Sequence, residues 1–295
     1  MADAVEILSR MKSIQDTMKI TNAMYMISSS KLKKAKKMEE EAKPHFMAIQ
    51  DTINNIINHM PDIKHEFIAD KDVREASGRK AFIVITADKG LAGAYNHNVI
   101  KPAIEDIKKV SENYYIVIGR IGRIFFEKHG IKTDENSEGT IQKPDMGQAR
   151  NITEIVIGHY RNREFDEVYI VFTEMINAVK SLVHTVKLLP LESRAEKQTD
   201  GFEENIEYVP SVEAVIDNIV PNYITGYIYG AMVEAFLSEQ NSRMMAMQSS
   251  AENAARLLDE LGREYNRARQ DAITQEISEV AGGVRAQRRK VKPKL

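Results

Sequence analysis

The stretch with the strongest claim to chemistry is Ala87-Asp88-Lys89-Gly90-Leu91-Ala92-Gly93-Ala94, a glycine-containing loop with a carboxylate beside an ammonium group. It follows a strand pattern and precedes a helix pattern, where backbone amides and a helix N-terminus gather to hold phosphate. Its spacing is neither GxGxxG nor GxxxxGK[ST], so the loop reads as a tight structural turn, with a nucleotide site as the alternative. The seven histidines, at 45, 59, 65, 97, 129, 159 and 184, are scattered without an HExxH pair, which argues against a metal centre. No serine and histidine fall in a nucleophile-elbow pattern. The absence of cysteine excludes disulfide, thiolate-metal and redox-thiol chemistry. The expectation is no catalytic residue, no metal and no cofactor. One basic run remains, Lys31-Leu32-Lys33-Lys34-Ala35-Lys36-Lys37. A basic helical face can bind phosphates, but no aromatic platform or recognition motif accompanies this one. It reads as a solvated or partner-facing surface, with DNA binding as the alternative.

The loop needs a framework. From Gly78 onward, 81–88, 113–120, 167–175 and 183–191 are strand candidates rich in Val, Ile, Tyr and Phe. Residues 98–110, 121–129 and 146–162 between them read as amphipathic helices. Strands alternating with helices predict a Rossmann-like, mostly parallel sheet covered on both faces, here assigned to 78–210. Residues 192–207 read as a polar connection. Ser211 is placed to cap a following helix, and Pro221 to kink that helix or start a new one.

Both chain ends carry heptad seams. Val233, Leu237, Gln240, Met244, Met247, Ala251, Ala254, Leu258, Leu261, Tyr265, Ala268 and Ala272 step by four and three. Ile7, Met11, Ile14, Met18, Thr21, Tyr25, Ser28, Leu32 and Ala35 do the same, in a region without glycine whose one proline is Pro44. Ile20, Met24 and Ile27 add a second stripe that the partner helix alone would not cover. The fold class that follows is α/β plus coiled coil, with helices over 1–57 and 211–295 packed antiparallel. At about 1.5 Å per residue the first helix spans roughly 80 Å and the second roughly 105 Å, ending near Gly282-Gly283. Residues beyond about 266 then project without a partner, carrying Ile273, Ile277 and Val280 beside Arg267, Arg269, Gln270 and Glu276. An isolated amphipathic helix of this kind is marginal in water, so the tip predicts an external sleeve. The formal charge of -2 gives no global pull toward polyanions, although six basic residues and no acidic one follow from Arg285. No apolar run approaches a membrane span, and a soluble cytoplasmic protein is expected.

Three blocks carry a family resemblance: MKSIQDTMKITNAMYMISSSKLKKAK (11–36), ITADKGLAGAYNHNVIK (85–101), and SEQNSRMMAMQSSAENAARLL with YNRARQDAITQEISEVAGG (238–258 and 265–283). They resemble the gamma subunits of F-type ATP synthases, in the expected order and over nearly the whole chain. The resemblance implies a non-catalytic rotor shaft. Its coiled coil would lie in a hexamer of three alpha and three beta subunits. Its α/β domain would rest with epsilon on the membrane c-ring, at the cytoplasmic face of the cell membrane, with no nucleic acid and membrane contact only through partners. It further implies that Arg269 and Gln270 meet a beta-subunit loop, with Arg243, Thr274 and Glu276 in the same region, and that Met24 lies near an acidic beta-subunit loop. Two departures are a Gly283-Val284 step where Gly-Ala is usual and the continuation RAQRRKVKPKL. The cysteine-free chain also lacks the dithiol switch of plastid members. A nucleotide-dependent α/β enzyme with coiled-coil arms is the competing reading.

Overall fold

A computed structural model of the chain describes residues 2–59, 65–69, 78–107, 113–134, 139–192 and 211–290. The elements are α1 (Ala2–His59), β1 (Lys80–Ile85), α2 (Tyr95–Ile107), β2 (Tyr114–Ile118), α3 (Arg120–Lys128), α4 (Met146–Arg161), β3 (Glu167–Met175), β4 (Ser181–Leu189) and α5 (Val212–Lys290). They form two compact units, one of Ser28–Met244 and one of Met1–Ile27 with Met245–Leu295.

In the first unit the strands lie in the order β2-β1-β3-β4. β1 pairs in parallel with β2 and with β3, while β4 returns antiparallel to β3. The reversal is possible because 176–180 is a tight turn: the Asn177 side-chain oxygen accepts the amides of Val179 and Lys180 at 2.9 and 2.8 Å. Side chains alternate across the pleat, so Ile83, Ile85, Ile116, Ile118 and Ile170 enter one core with α4 and with parts of α1 and α5. Phe82, Val84, Tyr115, Val117 and Val171 enter the other with α2 and α3. Both faces are covered, which is why the two central strands read as nearly unbroken apolar runs. Each fully buried aliphatic or aromatic side chain contributes about 1.5–3 kcal/mol.

Sequence signals set the helix starts. Ser211 caps α5 through its Oγ, which accepts the amide of Ala214 at 3.2 Å. Asp145 caps α4 by accepting the Gln148 amide at 3.3 Å. Pro221 does not begin a new helix: α5 runs through it. Val220 and Ile224, buried on either side, hold that turn in the core, and Thr225 Oγ1 donates to the Pro221 carbonyl at 2.8 Å. Tertiary packing outweighs the lost backbone bond. Nor does α5 stop at Gly282-Gly283, since it reaches Lys290. Two glycines cost about 2 kcal/mol of helix propensity, which a helix of this length absorbs. The connection read at 192–207 lies outside the described residues, apart from its first position.

The second unit pairs the chain's two ends as an antiparallel coiled coil. Ile7, Met11, Ile14, Met18, Thr21 and Tyr25 are all sheltered, while the positions between them are mostly exposed. On α5 the same holds for Met247, Ala251, Ala254, Leu258, Leu261, Tyr265, Ala268 and Ala272. Sheltering ends there. Ile273 through Arg285 are exposed at every position.

Candidate functional site

The loop after β1 is held by three anchors. Asp88 accepts the amides of Arg120 at 3.0 Å and Ile141 at 2.9 Å, and the Thr140 hydroxyl at 2.5 Å. The Ala87 amide donates to Asn96 Oδ1 at 3.0 Å, and the Tyr95 amide to the Ala92 carbonyl at 3.2 Å. At the loop's base the Thr86 hydroxyl donates to the Ile118 carbonyl at 3.0 Å and accepts the Gly122 amide at 3.0 Å. A phosphate site needs convergent free N–H groups. Here the amides at both ends of the loop are spent internally, and the Lys89 and Gly90 carbonyls face a buried guanidinium. These bonds within the chain are those of a structural βα turn.

That guanidinium belongs to Arg243. Its Nε donates to the Gly90 carbonyl at 3.2 Å, and its Nη2 to the carbonyls of Gly90 and Lys89 at 3.1 and 3.0 Å and to Glu239 Oε1 at 2.5 Å. Burial raises the Glu239 carboxyl above its ordinary value, with Arg243 opposing. Arg243 thus stands apart from the other five residues named for partner contact: its side chain is 5% exposed and committed inside the chain.

The other five are accessible. Met24 is half-buried beside Ile20 and Ile27, which are 63% and 50% exposed. Arg269, Gln270, Thr274 and Glu276 are all exposed on α5. At 100° per residue, Glu276, Arg269, Ile273, Ile277, Gln270 and Thr274 fall within about half of the helix circumference. Ile273, Ile277 and Val280, at 47, 64 and 68% exposure, are therefore framed by two charges, an amide and a hydroxyl. The arrangement suits apolar contact with directional polar contacts at its rim.

Among the described residues no cluster of His, Asp and Glu has the makings of a metal site. Four of the five histidines with described side chains, His65, His129, His159 and His184, sit in local contacts; His159, for instance, hydrogen-bonds Tyr114 at 3.1 Å and Glu164 at 2.8 Å. Of the basic run, Lys31 is half-buried and Lys33, Lys34, Lys36 and Lys37 are exposed, as a solvated face requires. The inward role of Arg243 escaped the sequence reading. Its one trace there is Glu239 four residues earlier, an i,i+4 spacing shared by many exposed pairs.

Comparison with known proteins places this geometry. A family model described as ATP synthase matches residues 3–286. The ATP synthase gamma chain of Ruminiclostridium cellulolyticum is 42% identical over 287 residues, covering 95% of this chain and 97% of the relative. The sodium-ion-specific ATP synthase gamma chain of Acetobacterium woodii is 34% identical, covering 97% and 99%. Among solved structures, the central stalk and c-ring of the Tetrahymena thermophila mitochondrial ATP synthase contains a chain similar in fold. It has a TM-score of 0.60 and 21% identity, over 78% of this chain and 98% of that one.

Proposed function

The chain belongs to the ATP synthase gamma-chain family, and on that premise we propose that it is the central rotor shaft of an F-type ATP synthase. It catalyses nothing itself. Its turning couples ion passage through the membrane ring to conformational change, and so to ATP synthesis or hydrolysis, at the beta subunits. Its partners are three alpha and three beta subunits around the coiled coil, with epsilon and the c-ring at the α/β domain. It sits peripherally at the cytoplasmic face of the cell membrane, attached through those partners. Among the described residues no helix is long and apolar enough to cross a membrane.

The observation that carries the mechanism is the far end of α5, where sheltering stops at Ala272 and the helix continues with isoleucine and valine in water. Such a surface gains free energy from a surrounding sleeve. Because the shaft is not symmetric, each surrounding subunit meets a different face of it. Differential contact is what lets one protein bias another's conformation. Arg269, Gln270, Thr274 and Glu276 supply the polar part of that contact, and Met24 with Ile20 and Ile27 supplies the N-terminal helix's part.

The test is assembly with alpha and beta subunits. The wild-type chain should form a stable complex in which ATP hydrolysis drives ion pumping, and Arg269→Ala with Gln270→Ala should weaken that complex while leaving the α/β domain's melting unchanged. No complex with wild-type chain, or unaltered binding by the double variant, contradicts the reading.

A further inference from the structure

A buried charge pair in the α/β unit has no place on the shaft's outer surface. Glu239 and Arg243 lie one turn apart on α5, with side chains 4% and 5% exposed. A buried ion pair is a weak means of stabilising a fold, because desolving two charges cancels most of their attraction. Among the described residues this one is also incompletely satisfied: Glu239 Oε1 meets Arg243, but the buried Oε2 has no hydrogen-bond partner among them. What the pair secures is geometry. The planar fork of Arg243 lies on the carbonyls of Lys89 and Gly90, 154 and 153 residues away in sequence. The next residue, Leu91, has φ 63° and a side chain 62% exposed, so it is a strained and water-facing loop tip. Two carbonyl dipoles alone would not retain a buried guanidinium; a counter-charge beneath it does.

Neighbouring side chains repeat the logic. Ser238 Oγ donates to the Thr173 carbonyl at 3.1 Å, and Asn241 Nδ2 to the Ala178 carbonyl at 2.9 Å. One stretch of α5 therefore spends its polar side chains on backbone carbonyls of β3 and of the loops after β1 and β3. We propose that Glu239 is a positioning residue for rotation: it holds the Arg243 guanidinium on the Lys89 and Gly90 carbonyls, so that the loop after β1 turns rigidly with α5. The proposal rests on the rotor reading and adds to it the device that fixes this loop to the turning helix.

The experiment uses the full chain in its assembled complex and two readouts: ions pumped per ATP hydrolysed, and hydrogen exchange at the Tyr95 amide, which is donated to Ala92 within the same loop. Glu239→Gln should keep ATP hydrolysis, lower pumping per ATP, and speed Tyr95 exchange roughly tenfold, equivalent to about 1.4 kcal/mol. Arg243→Lys keeps the charge but loses the fork, and should release the loop in the same way; it serves if the first variant folds poorly. The reciprocal exchange, Glu239→Arg with Arg243→Glu, restores an ion pair but leaves no donor at 243 for the carbonyls. Continued uncoupling and fast exchange in that variant support the proposal. Recovery of both there, or wild-type values in Glu239→Gln, overturns it. If the wild-type complex itself fails to couple, the rotor reading falls, and the exchange rates still decide whether Glu239 holds the loop.

Discussion

Replacing Ile277 by Ala separates a helix that needs a sleeve from one that is stable on its own. The side chain is 64% exposed, so roughly two thirds of the free energy available from burying it is unrealised in the isolated chain. Full burial of an isoleucine is worth about 1.5–3 kcal/mol. The unrealised part is then about 1–2 kcal/mol, or roughly fivefold to thirtyfold in an equilibrium constant. In the free chain the same substitution removes little buried surface and gains a few tenths of a kcal/mol in helix propensity. The two effects have opposite signs. The free chain should melt at the same temperature or slightly higher, while its affinity for the alpha–beta hexamer falls by about that factor. Circular dichroism melts of the free chain and titration of the hexamer with labelled chain measure both. A lower melting temperature with unchanged affinity refutes the reasoning, because Ile277 would then be packed against its own chain.

Met247→Ala is the contrasting case: at 5% exposure it lies in the helix seam, and its loss should destabilise the helical pair by about 2 kcal/mol or more, read as a lower helical melt. Glu167 tests the electrostatics of the sheet. Burial pushes its carboxyl up, but ion pairs with Lys80 and Lys187, both at 2.9 Å, bring it down to about 2. A depressed folded value means stability present above about pH 4.5 and lost as pH falls toward 2. Glu167→Gln should therefore flatten the acid limb of a stability–pH curve, by about 1 kcal/mol after solvent screening, and an unchanged limb contradicts the assignment. Gly119→Ala should cost more than about 3 kcal/mol, because φ is +98° and the added carbon would lie 2.1 Å from the Thr86 carbonyl oxygen. Soluble yield and protease resistance report it, and a well-folded variant would show that β2 can shift.

Periodicity made much of this molecule legible. Every residue of the N-terminal seam from Ile7 to Ala35 is sheltered, because a four-and-three repeat admits one helical face only. The four strand candidates appear within a few residues of their places, since β-branched and aromatic runs bounded by Gly and Asp have few alternatives. Starts and stops were less legible. Pro221 and Gly282-Gly283 are strong local breakers, yet α5 passes through them, because packing around Val220 and Ile224 and the momentum of a long hydrogen-bonded helix are not local properties. Sheltering also persists to Ala272, a little beyond the limit that helix lengths alone imply. The clamp at Arg243 was illegible for a related reason. Its acceptors are backbone carbonyls, which carry no residue type, and they lie more than 150 positions away.

The exposed end of α5 has hydroxyls that are already engaged: Thr274 Oγ1 donates to the Gln270 carbonyl at 2.9 Å, and Ser278 Oγ to the Thr274 carbonyl at 2.8 Å. A collar around it meets branched hydrocarbon and very few loose protons, with only a handful of longer side chains available to snag on. Dispersion forces vary little as one greasy cylinder slides inside another, whereas hydrogen bonds must break and re-form at each angular step. On the rotor reading proposed above, the helix end would serve as a low-friction journal whose few polar teeth set the resting angles.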